Sequence, residues 1–395
     1  MTGHSGEAVR FQIMAKPVGP VCNLGCRYCF YVDKAQLYPA TTDWRMPEEV
    51  LDSYIRQYME ANSSHNGVTF AWQGGEPTLL GLDFYRRAIA LQRKYGDGRC
   101  IENTLQTNGV LLDDAWCAFL KEHDFLVGIS IDGPEHLHDS YRVDKGGNPS
   151  FGLVMRGLER LVKHGVRFNT LTVVHQRNAL YPIEVYEFLK SIGSTFLQFI
   201  PLVEHKDGQI SHESVGGLAW GEFLGKIFER WVRMDVARIY VQMFDTALES
   251  WLSLPQSLCF FRSTCGAALA MEHNGDLYAC DHFVDIEHHL GNIMETPMAK
   301  LAATSSQIMF GNAKLDALPS CCRQCDVRFA CNGECPRNRL IRTPDGEDGL
   351  NWLCAGYKSF FHQIDPYMKY MAHQITLRRP PANIMAFLKD REQGK

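Results

Sequence analysis

The stretch Cys22-Asn-Leu-Gly-Cys26-Arg-Tyr-Cys29-Phe30 places three cysteines within one short segment near the start of the chain. Cysteine thiolates are the usual ligands of iron–sulfur clusters, and a four-iron cube offers four corners to be held. Three thiolates hold three corners, which leaves one iron open to bind another molecule. Tetrahedral sulfur sites also suit zinc, and cysteine is often buried without any metal. The spacing alone therefore leaves the metal open.

Segments typical of strands and helices alternate from this loop onward. Six apolar runs predict strands at residues 11–15, 68–72, 101–106, 125–131, 167–174 and 196–200. Apolar residues at helical spacing predict helices that begin at 46–47 and that span 82–95, 113–122, 151–164 and 182–191. This alternation predicts a parallel sheet flanked by helices, and six units fall short of the eight that close a full barrel. The cysteine loop follows the first strand, at the end of the sheet where active sites gather.

The composition is ordinary for a globular protein. Of 395 residues, 45% are hydrophobic and 22% are charged, and the net charge is −5. The sequence lacks the Lys and Arg cluster typical of nucleic-acid binding and lacks the long apolar run of a membrane span. The polar first ten residues carry no signal-peptide core. We therefore expect a cytoplasmic protein whose fourteen cysteines are reduced and bind metal rather than form disulfides.

Nine further cysteines follow residue 250, and eight of them, all but Cys321, form a spaced pattern. They stand as Cys259-x5-Cys265, then Cys280, then Cys322-x2-Cys325-x5-Cys331-x3-Cys335, then Cys354. Eight thiolates are enough for two fully ligated four-iron clusters. The spacing is too irregular for a zinc ribbon, although a zinc or disulfide module is the alternative interpretation.

The first cysteine loop resembles the cluster-binding loop of the radical S-adenosylmethionine (radical SAM) enzymes, with Tyr28 at the aromatic position before the third cysteine. In that family the open iron binds the amino and carboxylate groups of SAM. The stretch Gly74-Gly75-Glu76-Pro77 matches a family segment that contacts the SAM amino group. The resemblance implies the following SAM contacts: Tyr28, Gly75, Ser130, Arg142 and Leu202, with Gln73 and Glu76 as further candidates. On its own, the glycine pair would be an ordinary strand-to-helix turn, and a single Arg is more often a surface residue.

The cysteine-rich end resembles the SPASM extension of peptide-modifying radical SAM enzymes. The resemblance implies a first auxiliary cluster held by Cys259, Cys265, Cys280 and Cys335. It implies a second auxiliary cluster held by Cys322, Cys325, Cys331 and Cys354. With the cluster on Cys22, Cys26 and Cys29, three 4Fe-4S clusters are expected. Cys100, Cys117 and Cys321 remain unassigned.

The stretch Cys280-Asp281-His282-Phe283, with 290–293 after it, narrows the resemblance to the anaerobic sulfatase-maturating enzymes, over about residues 11–370. This implies oxidation of an active-site Cys or Ser of a sulfatase to Cα-formylglycine (3-oxoalanine), begun when a 5′-deoxyadenosyl radical abstracts a hydrogen from Cβ. Asp281 is then the candidate general base, although an aspartate there could simply cap a turn. The implied partners are a sulfatase polypeptide with a C-x-P-x-R or S-x-P-x-R site and a low-potential electron donor such as flavodoxin or ferredoxin.

The resemblance implies an α/β fold in which a partial (β/α)6 radical SAM barrel precedes a small SPASM domain with two auxiliary iron–sulfur clusters. We expect a flexible N-terminus at 1–10, the barrel at 11–240, the SPASM domain at 241–375 and a C-terminal tail at 376–395. An amphipathic helix at 218–234 precedes the boundary. Two alternatives stay open: a SPASM enzyme that forms a thioether or crosslink in a precursor peptide, and a non-enzymatic metal-binding module. Tyr31 is a candidate for the substrate pocket, and the three histidines His282, His288 and His289 could instead bind a metal.

Overall fold

The computed structural model describes residues 11–63, 67–206 and 208–394. The predicted flexible segment 1–10 lies outside these described residues. Contacts divide the chain into two compact units, each built from separate stretches of sequence. The first unit comprises Met1–Ile129, Arg142–Arg167 and Cys265–Ala313, and the second comprises Ser130–Tyr141, Phe168–Thr264 and Lys314–Lys395. The expected domains 11–240 and 241–375 remain a prediction.

The strands of the described residues are β1 (Gln12–Lys16), β2 (Gly67–Trp72), β3 (Cys100–Thr107), β4 (Leu126–Ser130), β5 (Arg167–Val174), β6 (Phe196–Pro201), β7 (His205–Lys206), β8 (Gln209–Ile210), β9 (Tyr240–Val241), β10 (Ala268–Glu272), β11 (Asp276–Tyr278) and β12 (His289–Asn292). The six strands predicted from apolar runs are β1 to β6, and their ends agree with the prediction to within two residues.

The α-helices of the described residues are α1 (Glu48–Ala61), α2 (Leu82–Gly96), α3 (Asp114–Glu122), α4 (Glu135–His138), α5 (Phe151–Lys163), α6 (Pro182–Ser191), α7 (Gly217–Met234), α8 (Gln242–Trp251), α9 (Met298–Ala302), α10 (Ser305–Asp316), α11 (Ser320–Arg323), α12 (Arg328–Cys331), α13 (Cys354–Thr376) and α14 (Asn383–Glu392). Helix α14 occupies part of the predicted C-terminal tail, and α7 confirms the amphipathic helix predicted at 218–234. No helix of the described residues is long and apolar enough to cross a membrane.

Local sequence signals account for where the helices begin. Pro47 precedes α1, and Glu48 and Glu49 lie in its first turn, where the helix dipole favours negative charge. Asp113 caps α3, and its carboxylate accepts a hydrogen bond of 2.8 Å from the backbone N–H of Trp116. The apolar face predicted for α1 is buried, with Tyr54 inaccessible to solvent.

The sheet of the first unit has the order β12-β11-β10-β1-β2-β3-β4. Strands β1 to β4 are parallel neighbours, as predicted. Strand β10, from the cysteine-rich end of the sequence, pairs in parallel with β1 and sets Lys16 opposite Glu272. Strands β11 and β12 continue from β10 as antiparallel neighbours. The segment 268–292 therefore extends the same sheet that carries the first cysteine loop.

The second unit contains the parallel strands β5, β6 and β9 and a closely packed helix pair. Helices α7 and α13 meet at glycines. A Cβ on Gly356 would lie 1.9 Å from the carbonyl oxygen of Gly217, and a Cβ on Gly221 would lie 2.5 Å from that of Gly356. Because α13 begins at Cys354, this contact fixes the position of a predicted cluster ligand.

Candidate active site

The first cysteine loop leaves β1 through a tight turn and is held by backbone and side-chain hydrogen bonds. The N–H of Gly19 donates to the carbonyl of Lys16 at 3.0 Å, and that of Gly25 donates to Val143 at 2.8 Å. The Cys22 sulfur accepts from the N–H of Leu24 at 3.4 Å. The loop therefore has a defined conformation at the C-terminal end of β1, where the sequence predicted it.

The thiols of this loop suit an iron–sulfur cluster. All three cysteines are partly exposed. Burial raises the pKa of the Cys22 thiol, and the charges of Glu76 and Cys29 add to that effect. Two thiols that influence one another on one partly exposed loop fit a cluster that is held by protein on one side and open on the other.

Gly75 lies where the loop after β2 crosses the cysteine loop. Its N–H donates to the carbonyl of Gly19 at 2.8 Å, and the N–H of Glu76 donates to that of Val21 at the same distance. A Cβ on Gly75 would lie 2.0 Å from the carbonyl oxygen of Val21. A glycine is thus required for backbone packing against the cysteine loop, whatever it also does toward a ligand.

Glu76 joins the loops around the first cysteine. Its buried carboxylate accepts hydrogen bonds from the Thr107 hydroxyl and the Asn108 N–H, each at 2.7 Å. Burial raises the pKa of Glu76, while its hydrogen bonds act in the opposite direction. The Asn108 amide in turn donates to the side chain of Asn23 at 2.7 Å. Glu76 therefore joins the loop after β2 to the end of β3 and, through Asn108, to the cysteine loop.

The five predicted SAM contacts are distributed over both units. In the first unit the Arg142 guanidinium lies 5.5 Å from the ring centroid of Tyr28, and both residues are buried. Gly75 is in the same unit, beside the cysteine loop. Ser130 and Leu202 belong to the second unit. Leu202 directly follows β6, and its N–H donates to the carbonyl of Val174 at 2.8 Å.

Asp281 follows β11 and forms an ion pair that the sequence analysis did not predict. Its carboxylate oxygen Oδ1 contacts the Nζ of Lys16, the last residue of β1. Lys16 is 1% exposed and Asp281 19% exposed. The Lys16 ammonium also donates to the side-chain carbonyl of Gln73 at 2.8 Å. The structure thus brings the candidate base together with a predicted site residue from the loop after β2.

Tyr31 lies beside this ion pair. The Lys16 Nζ is 4.6 Å from the Tyr31 ring centroid, and the Tyr31 hydroxyl donates to the carboxylate of Glu272. Burial, reinforced by the charges of Glu272 and Asp281, raises the pKa of Tyr31 far above its usual range. Tyr31 is therefore a neutral hydrogen-bond donor at physiological pH. Neither Lys16 nor Glu272 was singled out from the sequence, because each becomes informative only through its partners.

The cysteines implied for the first auxiliary cluster occur in both units. Cys265 and Cys280 belong to the first unit, and Cys259 and Cys335 to the second. Cys280 ends the segment after β11, where the N–H of Phe283 donates to its carbonyl at 3.0 Å. This turn places Asp281 next to a predicted cluster ligand.

The cysteines implied for the second auxiliary cluster lie together within the second unit. Burial, together with the charges of Cys321, Cys354 and Cys325, raises the pKa of Cys322 to about 12. Burial, together with the charges of Glu334, Cys354 and Cys322, raises the pKa of Cys331 to about 12. Mutually interacting thiols that are costly to ionise alone fit a cationic cluster that would stabilise their thiolates.

Cys321 and two of the three histidines considered as metal ligands, His288 and His289, contact neighbouring side chains. Cys321 is exposed, and its side chain hydrogen-bonds with that of Cys322. His288 Nδ1 lies 2.7 Å from Asp285, and His289 Nε2 lies 3.3 Å from Asp276. In the part of the chain that the structure describes, no three His, Cys, Asp or Glu side chains converge on the position of a single metal ion. A cubic cluster attaches each thiolate to a different iron, so its ligands lie farther apart than those of one ion.

Comparison with known proteins identifies two family models in the chain. A model described as "Radical SAM superfamily" matches residues 17–189. A model described as "Iron-sulfur cluster-binding domain" matches residues 259–326. The two models cover the first cysteine loop and the beginning of the cysteine-rich end.

Curated relatives match nearly the whole chain. A serine-type anaerobic sulfatase-maturating enzyme of Bacteroides thetaiotaomicron is 45% identical over 98% of this chain and 98% of its own length. A serine-type enzyme of Klebsiella aerogenes is 38% identical over 90% of this chain and 85% of its own. A cysteine-type enzyme of Clostridium perfringens is 35% identical over 92% of this chain and 98% of its own.

A solved structure of similar fold carries two bound molecules. The structure of anSMEcpe with bound AdoMet and the Cp18Cys peptide superposes with a TM-score of 0.84 at 34% identity, covering 92% of this chain and 99% of that chain. Streptococcus suis SuiB bound to its precursor peptide SuiA shares the fold at 14% identity, with a TM-score of 0.61 over 88% of this chain and 76% of that one. The radical SAM α/β fold followed by an iron–sulfur domain is thereby confirmed.

Proposed function

Since this chain belongs to the anaerobic sulfatase-maturating enzymes, we propose that it oxidises one active-site Ser or Cys of a sulfatase polypeptide to Cα-formylglycine. The ion pair between Lys16 and Asp281 is the observation that best supports this function. It places a partly exposed carboxylate next to a predicted cluster ligand, on the sheet that also carries the first cysteine loop. A carboxylate in that position suits a general base.

The oxidation removes two hydrogens from the target side chain, one as a hydrogen atom and the other as a proton and an electron. Cys22, Cys26 and Cys29 would hold the cluster that, with bound SAM, would supply the 5′-deoxyadenosyl radical needed to abstract one hydrogen atom from the target Cβ. The target must then lose one proton and one electron to become the carbonyl compound. Asp281 accepts the proton. A serine target gives the aldehyde directly, whereas a cysteine target gives a thioaldehyde that water converts to the aldehyde with loss of hydrogen sulfide.

The remaining electron requires an acceptor, and eight of the nine cysteines of the C-terminal half would hold two auxiliary 4Fe-4S clusters. Their potentials respond to charge, hydrogen bonding and exposure. We propose three clusters in all, and we expect about twelve irons and no zinc per chain in the anaerobically reconstituted protein. Metal analysis checks this count. A content of about four irons would contradict the three-cluster assignment.

The partner is a sulfatase segment with an S-x-P-x-R or C-x-P-x-R site, and serine is the residue we expect it to present. The relatives named serine-type are 45% and 38% identical, and the cysteine-type relative is 35% identical. A low-potential flavodoxin or ferredoxin would supply the electron that starts each turnover.

Replacing Asp281 tests the proton-transfer role. In Asp281→Asn, we expect SAM cleavage to continue while aldehyde formation falls by roughly a hundredfold or more, because the amide cannot accept the proton. Quantifying 5′-deoxyadenosine and aldehyde in the same reaction separates the two steps. Asp285→Asn is the matched control, since Asp285 lies in the same segment but pairs with His288. Aldehyde formation by Asp281→Asn at the rate of the unmodified enzyme would exclude Asp281 as the base.

A further inference from the structure

We infer that Lys16 is a positioning residue, which fixes Asp281 and Gln73 relative to each other for the reaction. This inference rests on the proposed function. Lys16 is the last residue of β1, and its backbone is paired with that of Glu272 in β10. Its side chain therefore starts from the central part of the first unit's sheet, between the two loops that it contacts.

The buried ammonium of Lys16 has a complete set of neighbours. It contacts the Asp281 carboxylate, donates to the Gln73 carbonyl at 2.8 Å and lies 3.4 Å from the Met14 sulfur. The Tyr31 ring is 4.6 Å away. A charge this deeply buried needs both a counter-ion and hydrogen bonds, and removing it would take this ion pair away from Asp281.

The contacts of Lys16 come from different segments of the site. Gln73 immediately precedes the glycine pair, and its own N–H donates to the carbonyl of Ala15 at 2.9 Å. Asp281 immediately follows the predicted ligand Cys280. One side chain thus connects the end of β1, the loop after β2 and the loop after β11.

Glu272, whose backbone is paired with that of Lys16, has contacts of its own. The Glu272 carboxylate accepts the hydrogen bond of Tyr31, and its Oε2 lies 3.6 Å from His273 Nδ1. Glu272 Oε1 is thus hydrogen-bonded by Tyr31, whereas Glu272 Oε2 is buried and has no hydrogen-bond partner among the described residues. The oxygen partners of the Lys16 ammonium are Gln73 and Asp281. The ion pair that Lys16 forms is with Asp281, the candidate base.

The experiment compares Lys16→Met, Lys16→Gln and Lys16→Arg by the ratio of aldehyde formed to 5′-deoxyadenosine released. Displacing the base should lower this ratio by roughly ten- to a hundredfold in the Met and Gln variants, because small misplacements have large effects on positioned reactions. Arg keeps the charge and should restore part of the ratio. Iron content and the visible spectrum of each variant show whether its clusters are intact.

A double-mutant cycle with Asp281→Asn tests whether Lys16 acts through Asp281. We expect Lys16→Met/Asp281→Asn to have the same ratio as Asp281→Asn alone, since residues that act as a unit are not additive. A further drop in the double variant would overturn the inference. An unchanged ratio in Lys16→Met would also overturn it. If Lys16→Met loses its clusters, equal ratios in the Gln and Arg variants would overturn the inference instead.

The failures of the two proposals have different signatures. If the unmodified enzyme forms no aldehyde from an S-x-P-x-R peptide or from a C-x-P-x-R peptide, the proposed function is wrong. If the unmodified enzyme forms aldehyde and the Lys16 variants match its ratio with intact clusters, only the role of Lys16 is wrong.

Discussion

At the scale of single residues, the ends of the strands hold most of the chemistry. Cys22, Gln73 and Asp281 all follow strands of the first unit, and Lys16 connects two of them. The cysteine spacing and the glycine pair could be recognised in the sequence because each is a short motif of neighbouring residues. Lys16 could not, because a lysine after a short apolar run normally marks a strand end that faces solvent. Its burial depends on Gln73 and Asp281, which lie in distant segments and contact its ammonium.

Gly75 gives a prediction at this scale. In Gly75→Ala the new Cβ would lie 2.0 Å from the Val21 carbonyl oxygen, so the cysteine loop must move away from the loop after β2. We expect the variant to lose the first cluster, about four of about twelve irons, and to retain the auxiliary clusters. Metal analysis with electron paramagnetic resonance checks this.

Gly67→Ala is the control for that prediction, because the nearest atom to its Cβ, the Cys100 carbonyl oxygen, would be 3.8 Å away. Full iron content and normal SAM cleavage in Gly75→Ala would show that the two loops are not packed as described.

At the scale of elements, local patterns predicted the strands and helices well, and long-range pairing was missed. Strands β1 to β6 follow apolar runs, and α1 follows from helical spacing and its acidic first turn. Nothing local in Ala268–Glu272 shows that it pairs with β1. The predicted boundary near residue 240 was placed after the amphipathic helix at 218–234, and the position of a helix carries no information on strand partners.

The α7–α13 contact gives a prediction at the scale of elements. Alanine in place of glycine favours a helix by about 1 kcal/mol, but a Cβ on Gly356 would meet the Gly217 carbonyl oxygen at 1.9 Å. A backbone atom cannot move aside as a side chain can, so the overpacking cost of about 1–3 kcal/mol or more should prevail. We expect Gly356→Ala to lower the unfolding midpoint and to lose iron from the cluster that Cys354 would hold.

Gly152→Ala in α5 is the control for the helix contact, since its Cβ would have open space except for Arg156 at 4.0 Å. Its unfolding midpoint should stay the same or rise. A Gly356→Ala protein as stable as this control, with full iron content, would refute the close contact. Differential scanning calorimetry under anaerobic conditions makes the comparison.

At the scale of the whole molecule, the cysteines of the sequence indicated the number of iron–sulfur clusters, and the resemblance to the anaerobic sulfatase-maturating enzymes implied the function. Three cysteines on one loop leave an iron open, and eight later ones can hold two closed clusters. The structure adds that four of the latter eight, including Cys322 and Cys354, lie together in the second unit. It also adds the contacts of Asp281, which no count of residues could supply.

The conversion of a sulfatase peptide tests the central claim most directly. The reconstituted enzyme would be incubated anaerobically with SAM, a reductant and an S-x-P-x-R peptide, with an A-x-P-x-R peptide as control. The products would be treated with an aldehyde-reactive hydrazine and analysed by mass spectrometry. A crosslink also removes two hydrogens, but only an aldehyde gains the hydrazone. We predict loss of two hydrogens at the serine together with hydrazone formation. A peptide that loses two hydrogens but forms no hydrazone, or that is unchanged while SAM is cleaved, would contradict the account.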